Sequence, residues 1–181
     1  PALAASCREN GILTAIDNTW ASPLYFQPLD HGVDISIQAA TKYLSGHSDV
    51  MMGTISTRDD GILKLIKDVT IQFGYSVSPA DCYLALRGVR TMGVRLRQHQ
   101  ETALKLINWL KDQSEVSEIL YPGWPRDPGF DIWRRDFKGA SGLFGVILKT
   151  RNKASVSRFI EGMKHFKIGA SWGGYESLII P

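Results

Sequence analysis

The fold of this chain is constrained most by two short apolar runs, each of which leads to a residue with a reactive side chain. Residues 12–16 read ILTAI and lead directly to Asp17, while residues 33–37 alternate apolar with polar side chains and lead to Lys42. Such runs are typical of strands in a sheet that helices cover. Ligands of open α/β sheets bind just outside the carboxyl ends of the strands. We therefore expect Asp17 and Lys42 at the sheet edge where chemistry takes place.

The rest of the chain predicts an α/β protein with two domains. A third strand is expected within residues 50–57, and the next helix begins after Asp59, with apolar residues at core-facing spacing. A long helical pattern begins at Ser78 and Pro79 and covers residues 79–113, in one piece or in two pieces that divide near Gly88 to Gly93. Three strands and one helix are expected beyond it, at residues 116–121, 142–149, 175–180 and 153–164. We place a domain boundary inside the long pattern, which gives a first domain of residues 1–89 and an α+β second domain of residues 90–181.

Composition and charge exclude several classes of protein. With 181 residues, 44% of them hydrophobic, the chain can bury a core, which argues against disorder. A net charge of +3 is too small to imply a nucleic-acid or membrane partner. No apolar run approaches the roughly 18 to 20 residues of a bilayer helix. Two cysteines, Cys7 and Cys82, suit a reducing compartment, so we expect a cytoplasmic protein.

Other candidate chemistries have little support in the residue spacing. The four histidines are scattered and no Cys-x-x-Cys pair occurs, so no metal site is expected. The Gly-x-Ser-x-Gly motif of serine hydrolases is also absent. Four arginines between residues 87 and 97 could form a phosphate-binding stripe, which leaves nucleic-acid binding as an outside alternative. On an amphipathic helix, a solvated or salt-bridged face is the simpler interpretation.

The pairing of Lys42 with Asp17 favours a specific cofactor. A lysine taken alone is most simply a surface residue. Together the two side chains have the parts that an aldehyde cofactor needs, because an amine forms a Schiff base and a carboxylate keeps a ring nitrogen protonated. The residues thus suggest pyridoxal phosphate.

The same residues lie in segments that resemble a known family. Residues 17–23, DNTWASP, and residues 40–49, ATKYLSGHSD, are similar to the signature regions of the Cys/Met-metabolism family of pyridoxal-phosphate enzymes. Residues 133–139, WRRDFKG, and 171–178, SWGGYESL, resemble its cystathionine β-lyase branch most closely, whereas γ-acting relatives usually have leucine where Trp172 stands.

The resemblance covers essentially the whole chain, although such enzymes are much longer. It implies that residues 1–89 are the latter part of a fold-type I cofactor domain, with a mostly parallel sheet and helices. Residues 90–181 would then be most of the smaller α+β C-terminal domain. Because other parts of the site would lie outside this piece, we expect the piece alone to be inactive.

The resemblance also implies roles for individual residues in cofactor binding. Lys42 matches the lysine that holds pyridoxal 5'-phosphate as a Schiff base, and Asp17 matches the aspartate paired with the pyridine nitrogen. Thr41 matches a hydroxyl that contacts the phosphate, and Thr19 is a further candidate in the motif of Asp17. One departure is Ala39, where many relatives have serine, so the phosphate must be held by other groups.

The substrate and the reaction follow from the same resemblance. Ser171 and Trp172 match the segment that lines the site for the substrate's carboxylate. The implied activity is β-elimination of cystathionine, or of cysteine-type substrates, to a thiol such as homocysteine, pyruvate and ammonia, in methionine biosynthesis. The implied assembly is a homotetramer, a dimer of dimers whose active sites are shared between subunits.

Two alternatives remain open at the level of the sequence. One is a γ-acting relative on the same scaffold, of the cystathionine γ-synthase or methionine γ-lyase type. The other, from a different class, is a binding or regulatory protein that has kept the fold and lost the cofactor. The presence of both Lys42 and Asp17 argues against the second.

Overall fold

The computed structural model describes all residues, 1–181, and the first part of the chain forms a three-stranded sheet. After helix α1 (Ala2–Glu9), strand β1 (Ala15–Asp17) pairs in parallel with β2 (Ile35–Ala39), and β2 pairs antiparallel with β3 (Gly53–Ser56). All three predicted strands are present. Strands β1 and β3 are shorter than predicted, and β2 lies two residues further along the chain than the predicted run 33–37. The parallel pairing brings the carboxyl ends of β1 and β2 to one edge, with Asp17 as the last residue of β1.

The connection from β1 to β2 contains two short helical turns. Helix α2 (Ser22–Tyr25) is followed by a 3-10 turn over Pro28–His31, which ends at Gly32 in the left-handed region, φ 85°. Asn18, which is buried, ties this connection together, because its side-chain amide donates to the carbonyls of Ser22 and Phe26 at 3.1 and 2.9 Å. The connection is therefore an ordered part of the edge that carries Asp17.

Helix α3 (Asp60–Gln72) begins where the sequence predicts, but its apolar face is not in the core. The Asp59 carboxylate accepts from the amide of Ile62 at 2.8 Å, an N-terminal cap. The prediction of a core-facing stripe is wrong in this chain: no residue of α3 is buried, and the Leu65 side chain is 62% exposed. The spacing is amphipathic, yet the chain leaves that face uncovered.

Helix α4 (Pro79–Leu110) is a single continuous helix of 32 residues. The Ser78 hydroxyl caps it by accepting from the amide of Asp81 at 3.1 Å. The alternative of two pieces is wrong, because a glycine inside a helix weakens it without removing a hydrogen bond, and buried residues of this helix on both sides of the two glycines, from Ala85 to Ile107, hold it in the core. The predicted boundary between residues 89 and 90 falls inside α4, and the division into two domains stays a prediction.

The second half of the chain is built from small sheets and short helices. Strand β4 (Val116–Leu120) pairs antiparallel with β5 (Gly145–Leu148), while β6 (Lys167–Ile168) and β7 (Leu178–Ile179) form a short parallel pair. Two helices complete it, α5 (Phe130–Asp136) and α6 (Lys153–Glu161). The predicted strands and the helix at α6 are present; α5 and β6 were not predicted. None of the helices is long and apolar enough to cross a bilayer.

Two apolar clusters form the core, and α4 contributes to both. Met92 and Leu96 of α4 belong to the first cluster, together with Tyr43, which is 1% exposed and directly follows Lys42. Ala103 and Ile107 of the same helix belong to the second cluster. Because Tyr43 is packed in the first cluster, the backbone at Lys42 is anchored to the core.

A half-buried histidine makes stability depend on pH. His99 lies on α4 with its ring edge-on to Tyr43, the centroids 5.6 Å apart. Burial, and then the positive charge of Arg95, lower the pKa of His99 below its usual value. Below about pH 6.5 the unfolded chain therefore binds a proton at this histidine more readily than the folded chain does. The free energy of unfolding falls as the pH drops below that value.

We expect replacement of this ring to flatten that dependence. The thermal midpoint of the wild type should fall between pH 7 and pH 5.5, and that of His99→Gln should fall less. Exposed His165 offers the control, because His165→Gln should keep the full dependence. An equal fall in the wild type and in His99→Gln would contradict the assignment.

Candidate functional site

Asp17 is the last residue of β1, and hydrogen bonds hold one of its two carboxylate oxygens in place. Its Oδ1 accepts from the Thr19 amide at 2.9 Å and from the Thr19 hydroxyl at 2.5 Å. That hydroxyl in turn accepts from the amide of Ala39, the last residue of β2, at 2.8 Å. Thr19 is buried, so its hydroxyl links the carboxylate of Asp17 to the strand that leads to Lys42. Asp17 Oδ2 has no hydrogen-bond partner in the chain and the residue is exposed.

Thr41 and Lys42 lie in a tight turn directly after β2. The Thr41 hydroxyl accepts from the Met52 amide at 3.0 Å and donates to the Met52 carbonyl at 3.3 Å, which fastens the turn to the chain before β3. The turn closes through backbone bonds from Lys42 to Ala39 and from Gly46 to Lys42. Lys42 thus extends from a backbone that is fixed on both sides.

Helix α4 clamps this turn, a contact that the sequence did not predict. Arg95 donates to the carbonyls of Tyr43 and Leu44 at 2.8 and 3.3 Å, and to the carbonyl of Gly88 in its own helix at 2.7 Å. Burial lowers the pKa of Arg95, but a guanidinium stays charged in proteins. The prediction that the arginines of this helix form a solvated or salt-bridged face is therefore wrong at Arg95, because its guanidinium donates hydrogen bonds to carbonyls next to Lys42. An arginine among several on a helix gives no sequence signal for such a role.

Segment 171–176 approaches Lys42 from the far end of the chain. The Lys42 amine donates to the Ser171 hydroxyl at 2.8 Å, across 129 residues of sequence. The same nitrogen lies 4.4 Å from the centroid of the Trp172 ring, within the range of a cation–π contact. Three of the six predicted site residues, Lys42, Ser171 and Trp172, are thus in direct contact.

A cavity of about 490 Å³ opens beside these residues. Thr41 and Ser171 lie in its wall, and the other lining residues are Ser48, Asp49, Val50, Met51, Glu176 and Leu178. Four of the predicted site residues, Asp17, Thr19, Lys42 and Trp172, are not in its wall. Asp17 forms no ion pair with Lys42. The two are connected instead through Thr19 and Ala39, three residues before Lys42.

The side chains present fit a pyridoxal phosphate. Lys42 provides an amine, and Asp17 offers Oδ2 with its other oxygen already fixed. The Trp172 indole nitrogen is buried without a hydrogen-bond partner, which is costly unless a ligand or water completes it. Such a cavity lies within the size range of roughly 300–1,000 Å³ for small-molecule sites. No group of three His, Cys, Asp or Glu side chains is placed to hold a metal ion.

Comparison with known proteins gives matches along the whole chain. A family model described as Cys/Met metabolism PLP-dependent enzyme matches residues 1–181. A putative cystathionine beta-lyase of Rhizobium johnstonii is 45% identical, over 99% of this chain and 46% of its own length. An L-alanine/L-glutamate racemase of Wolbachia pipientis is also 45% identical, over 96% of this chain and 43% of its own length. The chain thus spans somewhat less than half of these curated relatives.

Solved structures give the same result for the fold. The crystal structure of a cystathionine gamma-lyase from Lactobacillus plantarum, complexed with L-serine, matches with a TM-score of 0.92 and 33% identity. The match covers 98% of this chain and 46% of that one. The three relatives are named for three different reactions, so what they have in common with this chain is the scaffold.

Proposed function

This chain belongs to the Cys/Met-metabolism family of PLP-dependent enzymes, and from that premise we propose that it forms part of a carbon–sulfur lyase that β-eliminates cystathionine. The family's cofactor is pyridoxal 5'-phosphate, and the α/β fold is of fold type I. The observation that carries the proposal is the contact of the Lys42 amine with Ser171 and Trp172.

Four residues would hold the cofactor. Lys42 would bind its aldehyde, and Asp17, oriented by Thr19, would accept from its ring nitrogen through the free Oδ2. Thr41 already donates to and accepts from Met52, yet its hydroxyl has a second lone pair and lies in the cavity wall. When bound, the cofactor supplies an electron sink for the bond that breaks at the substrate's α-carbon.

Proton transfer is the task we assign to Lys42. Its amine would take the proton from the α-carbon and later give a proton to the departing sulfur, since one group within reach of both atoms can serve as base and then acid. The Ser171 hydroxyl, 2.8 Å away, holds this amine in place. The products are a thiol, pyruvate and ammonia, with one water molecule consumed.

Trp172 supports β-elimination over γ-elimination. It stands where γ-acting relatives usually have leucine, and the larger indole narrows the space beside the Lys42 amine. Its unpartnered N–H can donate to a substrate carboxylate. A γ-acting enzyme is the second candidate, since the scaffold matches that of a cystathionine gamma-lyase.

Product analysis with cystathionine tests the proposal. β-Elimination releases homocysteine and pyruvate, whereas γ-elimination releases cysteine and 2-oxobutyrate. We expect pyruvate in amounts equal to homocysteine. Cysteine and 2-oxobutyrate as the main products would contradict β-elimination and support the second candidate, a γ-acting enzyme. Racemisation of alanine without release of a thiol would contradict both and support the activity named for the Wolbachia relative.

Replacing Asp17 by asparagine tests the role of this carboxylate in the reaction while leaving the fold intact. Asparagine keeps an oxygen that can accept from Thr19, so the local fold should persist, but the negative charge is lost. We expect kcat to fall by about 100-fold or more, the usual effect of removing one charge-stabilising group from an active site. Thermal unfolding should be unchanged. If the variant kept the wild-type kcat, Asp17 would have no role in the reaction and the assignment would be contradicted.

The assembly is also a proposal. We propose a homo-oligomer, a dimer of dimers with shared active sites, acting on a small sulfur amino acid. Light scattering of the holoenzyme should give a mass four times that of its subunit, and a monomer would contradict this assembly.

A further inference from the structure

Segment 171–176 has little regular structure to hold it in place. It precedes β7, whose pairing with β6 extends over only two residues on each strand. Yet Ser171 and Trp172 both contact the Lys42 amine. Other contacts must therefore determine where this segment lies.

Two glycines bring the segment against the turn that carries Lys42. Gly173 has φ 81°, and a Cβ there would lie 3.0 Å from the Lys42 carbonyl carbon and the Tyr43 nitrogen. A Cβ on Gly174 would lie 2.0 Å from Ser48 Oγ. The close approach fixes the distance of the segment from the turn, but glycine offers no side chain to hold it.

Apart from the bond between Lys42 and Ser171 in the site itself, one side-chain hydrogen bond joins the segment to the chain that follows the turn. The Ser48 hydroxyl donates to Glu176 Oε2 at 2.5 Å, across 128 residues of sequence. This bond from Ser48 also holds the pKa of Glu176 below its usual value, so the acceptor is ionised at neutral pH. Both residues line the cavity, beside Thr41 and Ser171.

We propose that the Ser48–Glu176 hydrogen bond positions Ser171 and Trp172 against Lys42, and that Glu176 and Ser48 are positioning residues for the reaction. Neither residue touches the Lys42 amine. They act by holding segment 171–176 on the turn that follows β2, where displacement by about 1 Å can lower a rate by 100-fold. The inference rests on the proposed function for its rate readout only.

Variants of the holoenzyme test this coupling. Ser48→Ala and Glu176→Ala should each lower kcat/KM for cystathionine by about 10- to 100-fold, and the double variant should be no slower than either single one, because both changes break one bond. Glu176→Gln keeps an oxygen acceptor for the Ser48 hydroxyl and should restore the rate to within about threefold of wild type. Glu161→Ala, a change at an exposed glutamate of α6, serves as the control and should have no effect.

A second readout is independent of turnover. Chymotrypsin should cleave after Trp172 or Tyr175 faster in Ser48→Ala and Glu176→Ala than in the wild type or Glu161→Ala, because the segment is released. Gly174→Ala keeps both partners but places a methyl group against Ser48 Oγ, and should be cleaved as fast as the other two.

The outcomes distinguish the inference from the function. Independent, multiplicative losses in the double variant, or cleavage rates equal to that of wild type, would overturn the positioning role even if the enzyme releases homocysteine. Faster cleavage with no thiol release by the wild type would instead overturn the proposed function and leave the coupling intact.

Discussion

Lys42→Ala is expected to lower the rate of thiol release from cystathionine by at least about 10,000-fold, since it removes both the covalent attachment point and the proton-transfer group. The backbone should keep its conformation. The turn is held by Arg95, by the Thr41–Met52 bonds and by the burial of Tyr43, and none of these uses the amine.

Two measurements check this expectation. Thiol and pyruvate release give the rate, and borohydride reduction of the wild-type holoenzyme followed by mass mapping should place the cofactor label on the peptide that contains Lys42. Lys64→Ala is the control, because Lys64 pairs with Asp68 on the exposed surface of α3. A label on another lysine, or a Lys42→Ala rate within tenfold of wild type, would refute the assignment.

Gly88→Ala is expected to produce the largest loss of stability. Its Cβ would lie 2.2 Å from the Ser45 carbonyl oxygen and 2.4 Å from that of Leu44. These are backbone atoms, so no side-chain rotation relieves the overlap, and α4 must separate from the turn. We expect a loss of about 3 kcal/mol, at the upper end of typical overpacking effects. Activity should fall as well, because the same turn carries Lys42.

Gly93→Ala provides a matched control in the same helix. A Cβ there would meet its nearest atoms at 3.6 Å and 3.8 Å, ordinary contact distances. Alanine at this position should raise stability by about 0.5–1 kcal/mol through helix propensity. Urea unfolding of both variants at equal protein concentration makes the comparison, and a Gly88→Ala variant as stable as Gly93→Ala would contradict the packing described here.

Local sequence patterns were enough to predict the elements that carry the candidate site. The strands that lead to Asp17 and Lys42 follow from one continuous and one alternating apolar run. The caps at Asp59 and Ser78 follow from hydrogen bonds within three residues. The resemblance to the family then supplied Thr41, Ser171 and Trp172 as candidates. Their roles in binding cofactor and substrate remain predictions.

Local patterns gave wrong predictions where the burial of a residue depends on segments far away in the chain. The amphipathic spacing of α3 predicts a buried face, but burial needs another part of the protein to cover it, and here Leu65 stays exposed. The two glycines in α4 suggested a break, whereas Gly88 is the point where the Lys42 turn packs closely on the helix.

The sequence by itself determined which segments form most of the strands, where α3, α4 and α6 begin, and the family, because these depend on interactions between residues close in the chain or on motifs that can be read directly. Only the tertiary structure decided that Arg95 holds the Lys42 turn, that Thr19 links Asp17 to β2 and that Ser48 meets Glu176. Such contacts join residues from 20 to 128 positions apart. Their existence depends on how whole elements pack, and no local periodicity encodes that placement.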